Sequence, residues 1–105
     1  MVHFVGAGSG AKDLITVRGM NLLKNADVII YAGSLVNPEL LEYAEDSCEI
    51  YNSAYMTLEE IIDVIKTADS ENKDIVRLHT GDSSIYGAIR EQIEQLNSYD
   101  ISWDI

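Results

Sequence analysis

The chain has 105 residues, enough for one domain around one core. Apolar residues make up 47% and charged residues 24%, the balance of a soluble folded domain rather than a disordered one, and no apolar run approaches the roughly 20 residues of a membrane-spanning helix. The net charge of −11, from 18 acidic and 7 basic side chains, repels a phosphate backbone and argues against nucleic-acid binding.

The chain opens on Val2–Gly6, an apolar run that reads as a strand and leaves no room for a signal peptide. A glycine-rich segment follows. Thr16 is placed to cap a helix running through Met20, Leu22 and Leu23 to about Asn25. Asp27–Tyr31, "DVIIY", is nearly all apolar, as strands buried on both faces are. Pro38 then starts a short helix, "PELLEYA". Cys48–Tyr51 reads as a shorter strand. Cys48 is the only cysteine, which excludes an internal disulfide and points to a reducing cytoplasm.

Thr57 and Glu60 form a capping box, and Leu58, Ile61, Ile62, Ile65 and Ala68 recur at helical spacing. Asp74–His79, "DIVRLH", is another strand. A turn, "TGDSS", leads into a helix marked by Ile85, Ala88, Ile89, Ile93 and Leu96. Ile101–Ile105 reads as a last strand. The order is β-α-β-α-β-α-β-α-β, which predicts a five-stranded, mainly parallel α/β sheet with helices on both faces. The pattern stops at a strand with no crossover after it, so the expectation is the first domain of a longer protein.

Ligands of open parallel sheets sit beyond the carboxyl ends of the strands. Three segments fall there: Gly6–Asp13, Ala32–Pro38 and Thr80–Ser84. Gly6, Gly8 and Ala11 match G-x-G-x-x-G/A, yet four residues separate the motif from the helix cap at Thr16. The strand ending "IIYAGS" also lacks the acid that would hold a ribose. A dinucleotide site is therefore disfavoured. His3 and His79 have no cysteine or carboxylate at metal-ligand spacing, so no metal is expected. His3 reads as a strand residue, and Cys48, without a basic neighbour, as a packing residue. No nucleophile elbow or Walker phosphate loop is present.

"VHFVGAGSGAKDLITVRGMNLLKNADVIIYAGSLVNPELL" and "RLHTGDSSIYGAIREQI" together resemble the tetrapyrrole methylases, S-adenosylmethionine-dependent enzymes of corrin and sirohaem synthesis. "YAGSLVNPELL" is similar, more narrowly, to the branch that methylates carbon 11 of precorrin-4 or its cobalt form. The resemblance implies two α/β domains with S-adenosylmethionine between them, a tetrapyrrole substrate and a cytoplasmic homodimer. It implies that Thr80, Gly81, Asp82 and Ile85 touch the methyl donor, and that Ser9 occupies a further contact position. The family usually has proline at Ser9 and Ser83, and Asp-Pro at Ala11-Lys12. Losing those prolines leaves the unfolded loops freer. No catalytic base is assigned: where related uroporphyrinogen methylases carry an acid after the second strand, this chain has Ala32, Gly33 and Ser34. The implied activity is methyl transfer aided mainly by alignment of donor and acceptor. Arg18, Arg77 and Arg90 would be outnumbered by acids in front of a polycarboxylate substrate. The competing readings are a methylase of another ring carbon and a non-catalytic nucleotide-binding module.

Overall fold

A computed structural model describes residues 1–6, 16–31, 38–79 and 86–105, by backbone alone at 38 and over 86–88. Its strands are β1 (Val2–Gly6), β2 (Val28–Tyr31), β3 (Glu49–Asn52), β4 (Ile75–His79) and β5 (Trp103–Asp104). Its α-helices are α1 (Val17–Asn25), α2 (Leu58–Ser70) and α3 (Tyr86–Ser98), and 3-10 helices span Pro38–Tyr43 and Ser53–Tyr55. The strands form one five-stranded sheet in the order β3-β2-β4-β1-β5, and each neighbouring pair is parallel.

The two-residue period of the strands sorts the core into two layers. Val2, Phe4, Val28, Ile30 and Ile75 face α2 and α3, where Ile61, Ile62, Ile65, Ala68, Ile89 and Leu96 complete one cluster. Val5, Ile29, Val76 and Leu78 face the other way, onto Leu23 of α1 and Leu40 of the first 3-10 helix. Chain direction explains this division. From β1 the chain crosses past β4 to β2 and on to β3; it then returns to β4 and crosses β1 to β5. Right-handed crossovers in opposite directions lie on opposite faces.

Several boundaries differ from the sequence pattern for local reasons. Asp27 precedes β2 because its carboxylate accepts the Asp74 N–H at 2.9 Å. Cys48 belongs to a turn, donating its N–H to Glu45, so β3 starts one residue later. The last strand is two residues rather than five, because Asp100 adopts a left-handed φ of 57° and Ile101 turns into the core. Asn72 has the same φ after α2. In both places the next residue donates to the carbonyl five back, Lys73 to Ala68 and Ile101 to Leu96. Helices α2 and α3 thus end in Schellman motifs, with Asn and Asp where glycine is commoner. The cap at Thr16 and the Thr57–Glu60 box are formed as expected.

Two polar ties cross this apolar frame. The Arg77 side chain, 5% exposed, lies on the α2/α3 side of β4. Its Nε donates to Gln92 Oε1 of α3 at 3.0 Å, and Nη1 donates to the carbonyls of Ile30 and Leu78 at 3.3 and 3.2 Å. Nη2 donates to Ser53 Oγ at 3.2 Å, and that hydroxyl donates to Tyr31 O at 2.9 Å. Burial pushes the guanidinium pKa down to about 10, so it stays charged at neutral pH. At the far edge, Asp104 of β5 joins β1 to α1. Its Oδ1 accepts from His3 Nδ1 at 2.9 Å, which places the ring proton on Nδ1, because an ionised carboxylate can only accept. Its Oδ2 lies 3.1 Å from Arg18 Nη2.

Replacing Gln92 by Leu leaves a charged N–H buried without its acceptor and should cost about 2–3 kcal/mol in urea unfolding. The same change at exposed Gln95 should stay within about 0.5 kcal/mol. Equal losses at the two positions would contradict the network. A second prediction concerns acid. Burial alone raises the Asp104 carboxyl, but bonds from His3 and Arg18 outweigh it and hold it below the usual carboxylate range. Below a pH of about 4 the unfolded carboxyl binds a proton before the folded one, so this increment of stability is present above that pH and disappears as pH falls through the folded value. Asp104→Asn should therefore be less stable than the parent at pH 7, and the gap should close toward pH 2–3. A gap that persists in acid would show that the effect is not ionic.

Candidate functional site

The carboxyl ends of β1 and β4 lie side by side, with Gly6 and His79 as register partners. From β1 the connection leads to α1 on one face; from β4 it leads to α3 on the other. Adjacent strands whose connections depart to opposite faces leave a crevice between their ends, the usual ligand position in an open parallel sheet. Strand β2 borders β4 on its other side and, like β1, leads to the α1 face. Strand β4 is thus flanked by two connections of the opposite sense.

Gly6 and His79 form the described floor of this crevice. Gly6 is exposed, while His79 is buried. Among the described residues, a Cβ built on Gly6 would meet the His79 ring, with Cε1 at an ordinary 3.7 Å. An alanine is therefore sterically tolerable there, and what the glycine supplies is uncovered backbone open to close approach. This floor fits a small polar ligand lying against main chain. Two other concave surfaces run along α2, one beside β3 with Glu49, Asp63, Glu71 and Lys73, the other toward α3 with Gln95 and Tyr99. The first reaches Glu49 at the start of β3, the opposite edge of the sheet from the crevice, and neither is lined by Gly6 or His79.

Ser9, Thr80, Gly81, Asp82 and Ile85, the residues expected at the methyl donor, all lie outside the described residues. So do Ala32, Gly33 and Ser34. The structure brings together the strand ends from which those segments start, Gly6, Tyr31 and His79, across three neighbouring strands. Sequence spacing had made the first and third glycine segments candidates for one rim, and the pairing of β1 with β4 makes their starting points neighbours.

Arg77 departs from its expected place among the cations facing a substrate. It is buried and committed to protein acceptors, whereas Arg90 is 83% exposed and pairs with Glu94 at 3.6 Å. The signal was present in "IVRLH", where one cation interrupts an otherwise apolar strand, and in Gln92 on the apolar face of α3. His3 does acquire a carboxylate partner, Asp104, from 101 positions away. Among the described residues, no three His, Cys, Asp or Glu side chains gather as a metal site. The Cys48 thiol is pushed up by burial and by Asp27 and Glu49, and it donates to Glu49 O at 3.6 Å, which leaves it a poor nucleophile.

The family model for "Tetrapyrrole (Corrin/Porphyrin) Methylases" matches residues 1–105. A cobalt-precorrin-4 C(11)-methyltransferase of Methanocaldococcus jannaschii is 60% identical over 99% of this chain. A precorrin-4 C(11)-methyltransferase of Sinorhizobium sp. is 47% identical over 97%. In each case the chain spans 40% of the relative's length. Among solved structures, a cobalt precorrin-4 methyltransferase superimposes with a TM-score of 0.92 at 41% identity, over 99% of this chain and 44% of the other. A Thermus thermophilus uroporphyrin-III C-methyltransferase complexed with S-adenyl homocysteine gives 0.78 at 28%, over 98% and 42%. With a family match along its whole length, on a parallel sheet whose crevice opens between the first and fourth strands, this chain belongs to the tetrapyrrole methylases.

Proposed function

We propose that the chain is the first domain of a two-domain enzyme that moves a methyl group from S-adenosylmethionine to carbon 11 of precorrin-4 or its cobalt form in cobalamin synthesis. The observation that carries this reading is the crevice between β1 and β4, beside which both glycine segments of the family pattern begin, one at Gly6 and one after His79. Carbon 11 is favoured over another ring carbon by the higher identity to precorrin-4 enzymes, 40% to 60%, than to uroporphyrinogen-III enzymes, 28% and 37%. The span of 40% of the relatives' length supports a second domain closing the site. The same reading makes the whole protein a cytoplasmic homodimer.

When bound, S-adenosylmethionine would supply an electrophilic methyl, to which an electron pair of the acceptor carbon would bond while the carbon–sulfur pair stayed with the departing sulfide. The chain's part is binding and alignment. Uncovered main chain at Gly6 permits close approach, and the buried His79 ring backs it. Thr80, Gly81, Asp82, Ile85 and Ser9 are proposed to line the donor. The Asp82 carboxylate is suited to accept from ribose hydroxyls or from the ammonium of the methionine part.

In the whole protein, Asp82→Ala should weaken S-adenosylmethionine binding by roughly 1.5–3 kcal/mol, as expected for hydrogen bonds to a charged group, with little change in circular dichroism. Unchanged affinity by calorimetry would remove Asp82 from the site. The two-domain reading makes a separate prediction. Residues 1–105 alone offer one wall of the cleft, so they should bind the donor with a dissociation constant above roughly 1 mM. Micromolar binding would show that one domain makes the site. Product analysis with precorrin-4 and with its cobalt form tests the assignment of carbon 11 and decides between the two substrates.

A further inference from the structure

We propose that Arg77 is a positioning residue for S-adenosylmethionine: its guanidinium holds the carboxyl ends of β2 and β4 and helix α3 in the one arrangement from which the segments around the crevice reach the donor. This rests on the function proposed above.

The argument begins with where the four hydrogen bonds go. Segment 80–85 leaves β4 after His79 and enters α3 at Tyr86. Arg77 bonds to both of its supports, to Leu78 O on β4 and to Gln92 Oε1 on α3. Segment 32–37 leaves β2 after Tyr31. Arg77 bonds to Ile30 O directly, and to Tyr31 O through the Ser53 hydroxyl, which accepts from Nη2 and donates onward. One side chain of β4 therefore links the strand before segment 80–85 to the helix after it, and both to the start of segment 32–37.

The chemistry of arginine matters here. Three nitrogens in one plane address three different elements at 3.0–3.3 Å. A lysine ammonium keeps the charge but is a single point on a flexible stem, and it cannot span Gln92, Ile30 and Ser53 together. An apolar side chain would fill the space at lower desolvation cost, because a buried charge without a carboxylate is poor value as a stabiliser of packing alone. Among the described residues, the hydrogen-bond partners of Arg77 are neutral: two carbonyls, an amide oxygen and a hydroxyl. What the guanidinium adds is direction. Strands β2 and β4 are already held in register by their backbone ladder. Helix α3, packed on that sheet through apolar contacts alone, could slide by fractions of an ångström at small cost, whereas the Nε bond to Gln92, from a guanidinium also fixed to Ile30 and Ser53, penalises such a slide. Shifts of about 1 Å in supporting structure can cost on the order of a hundredfold in alignment-dependent steps.

The test uses the whole protein with Arg77→Lys and Ser53→Ala, singly and together, each verified as folded by circular dichroism. S-Adenosylmethionine binding is measured by calorimetry, and stability by urea unfolding. Arg77→Lys should weaken donor binding by roughly tenfold to a hundredfold in the folded protein. Ser53→Ala, a small change in a partly exposed residue, should weaken it by a lesser factor. Because Ser53 acts through the Arg77 network, the double variant should bind about as weakly as Arg77→Lys alone. Parental affinity in folded Arg77→Lys, with only the unfolding midpoint lowered, would reduce Arg77 to a packing role and overturn the proposal. Should Arg77→Lys not fold, Ser53→Ala decides by the same measure, and parental affinity there overturns it. Asp82→Ala separates the two layers of inference. If the parent binds, Asp82→Ala does not and Arg77→Lys does, the positioning role fails while the donor site stands. If the parent itself does not bind, the donor site and the positioning role fall together.

Discussion

Both edges and both faces of β4 are occupied, and this enclosure determines where everything else can go. Strand β1 pairs along one edge and β2 along the other, over five and four residues respectively. All five β4 residues are buried. A parallel strand in that position cannot be reached by a hairpin, so each approach and departure needs a crossover. The chain reaches β4 last among the central strands, after laying down β1, β2 and β3 with α1 and a 3-10 helix on one face. Its return then places α2 and α3 on the other. The crevice is a by-product of that reversal, since β4 sends its connection opposite to both neighbours. Site and core therefore share one cause.

Enclosure also explains why the most buried charge in the described chain is so heavily bonded. A guanidinium removed from water loses several kcal/mol of hydration unless its N–H groups find acceptors. Arg77 finds them in two carbonyls, an amide oxygen and a hydroxyl. The sheet itself supplies part of this: strand carbonyls near a carboxyl end have lone pairs to spare, and one can accept a side chain as well as its ladder partner. Within a chain of net charge −11, a buried cation lies behind the crevice. The described acidic residues are exposed or partly exposed, where water screens them.

The opposite edge is built more lightly. Strand β5 pairs with β1 at only two positions, and Trp103 meets Phe4 edge to face at 6.3 Å between ring centres. The other side of β5 uses charge, with Asp104 gathering His3 and Arg18. Short edge strands carrying charged side chains resist adding a foreign strand. At β3, the other edge, Glu49 is exposed and Asp27 and Asp74 stand near the strand starts, a further concentration of like charge.

Local chemistry carried much of the fold in the sequence itself. Thr16 as a cap, the Thr57–Glu60 box, the helical spacing of Ile61, Ile62, Ile65 and Ala68, and the apolar runs "DVIIY" and "IVRLH" each act over a few residues, so neighbours in sequence suffice to reveal them. The alternation of these elements implied a parallel sheet, and the glycine segments implied the rim. Strand order, however, was decided only in three dimensions. That β4 inserts between β1 and β2 depends on which buried faces complement each other, and no periodicity encodes a partner some 70 residues away. The same holds for the helix ends at Asn72 and Asp100, where left-handed backbone falls on residues other than glycine because Lys73 and Ile101 must turn back toward the sheet. It holds for Asp104 meeting His3 and for Arg77 gathering Gln92, Ile30 and Ser53. A side chain's type is written in the sequence, but its burial and its hydrogen-bond partners exist only once distant segments have packed.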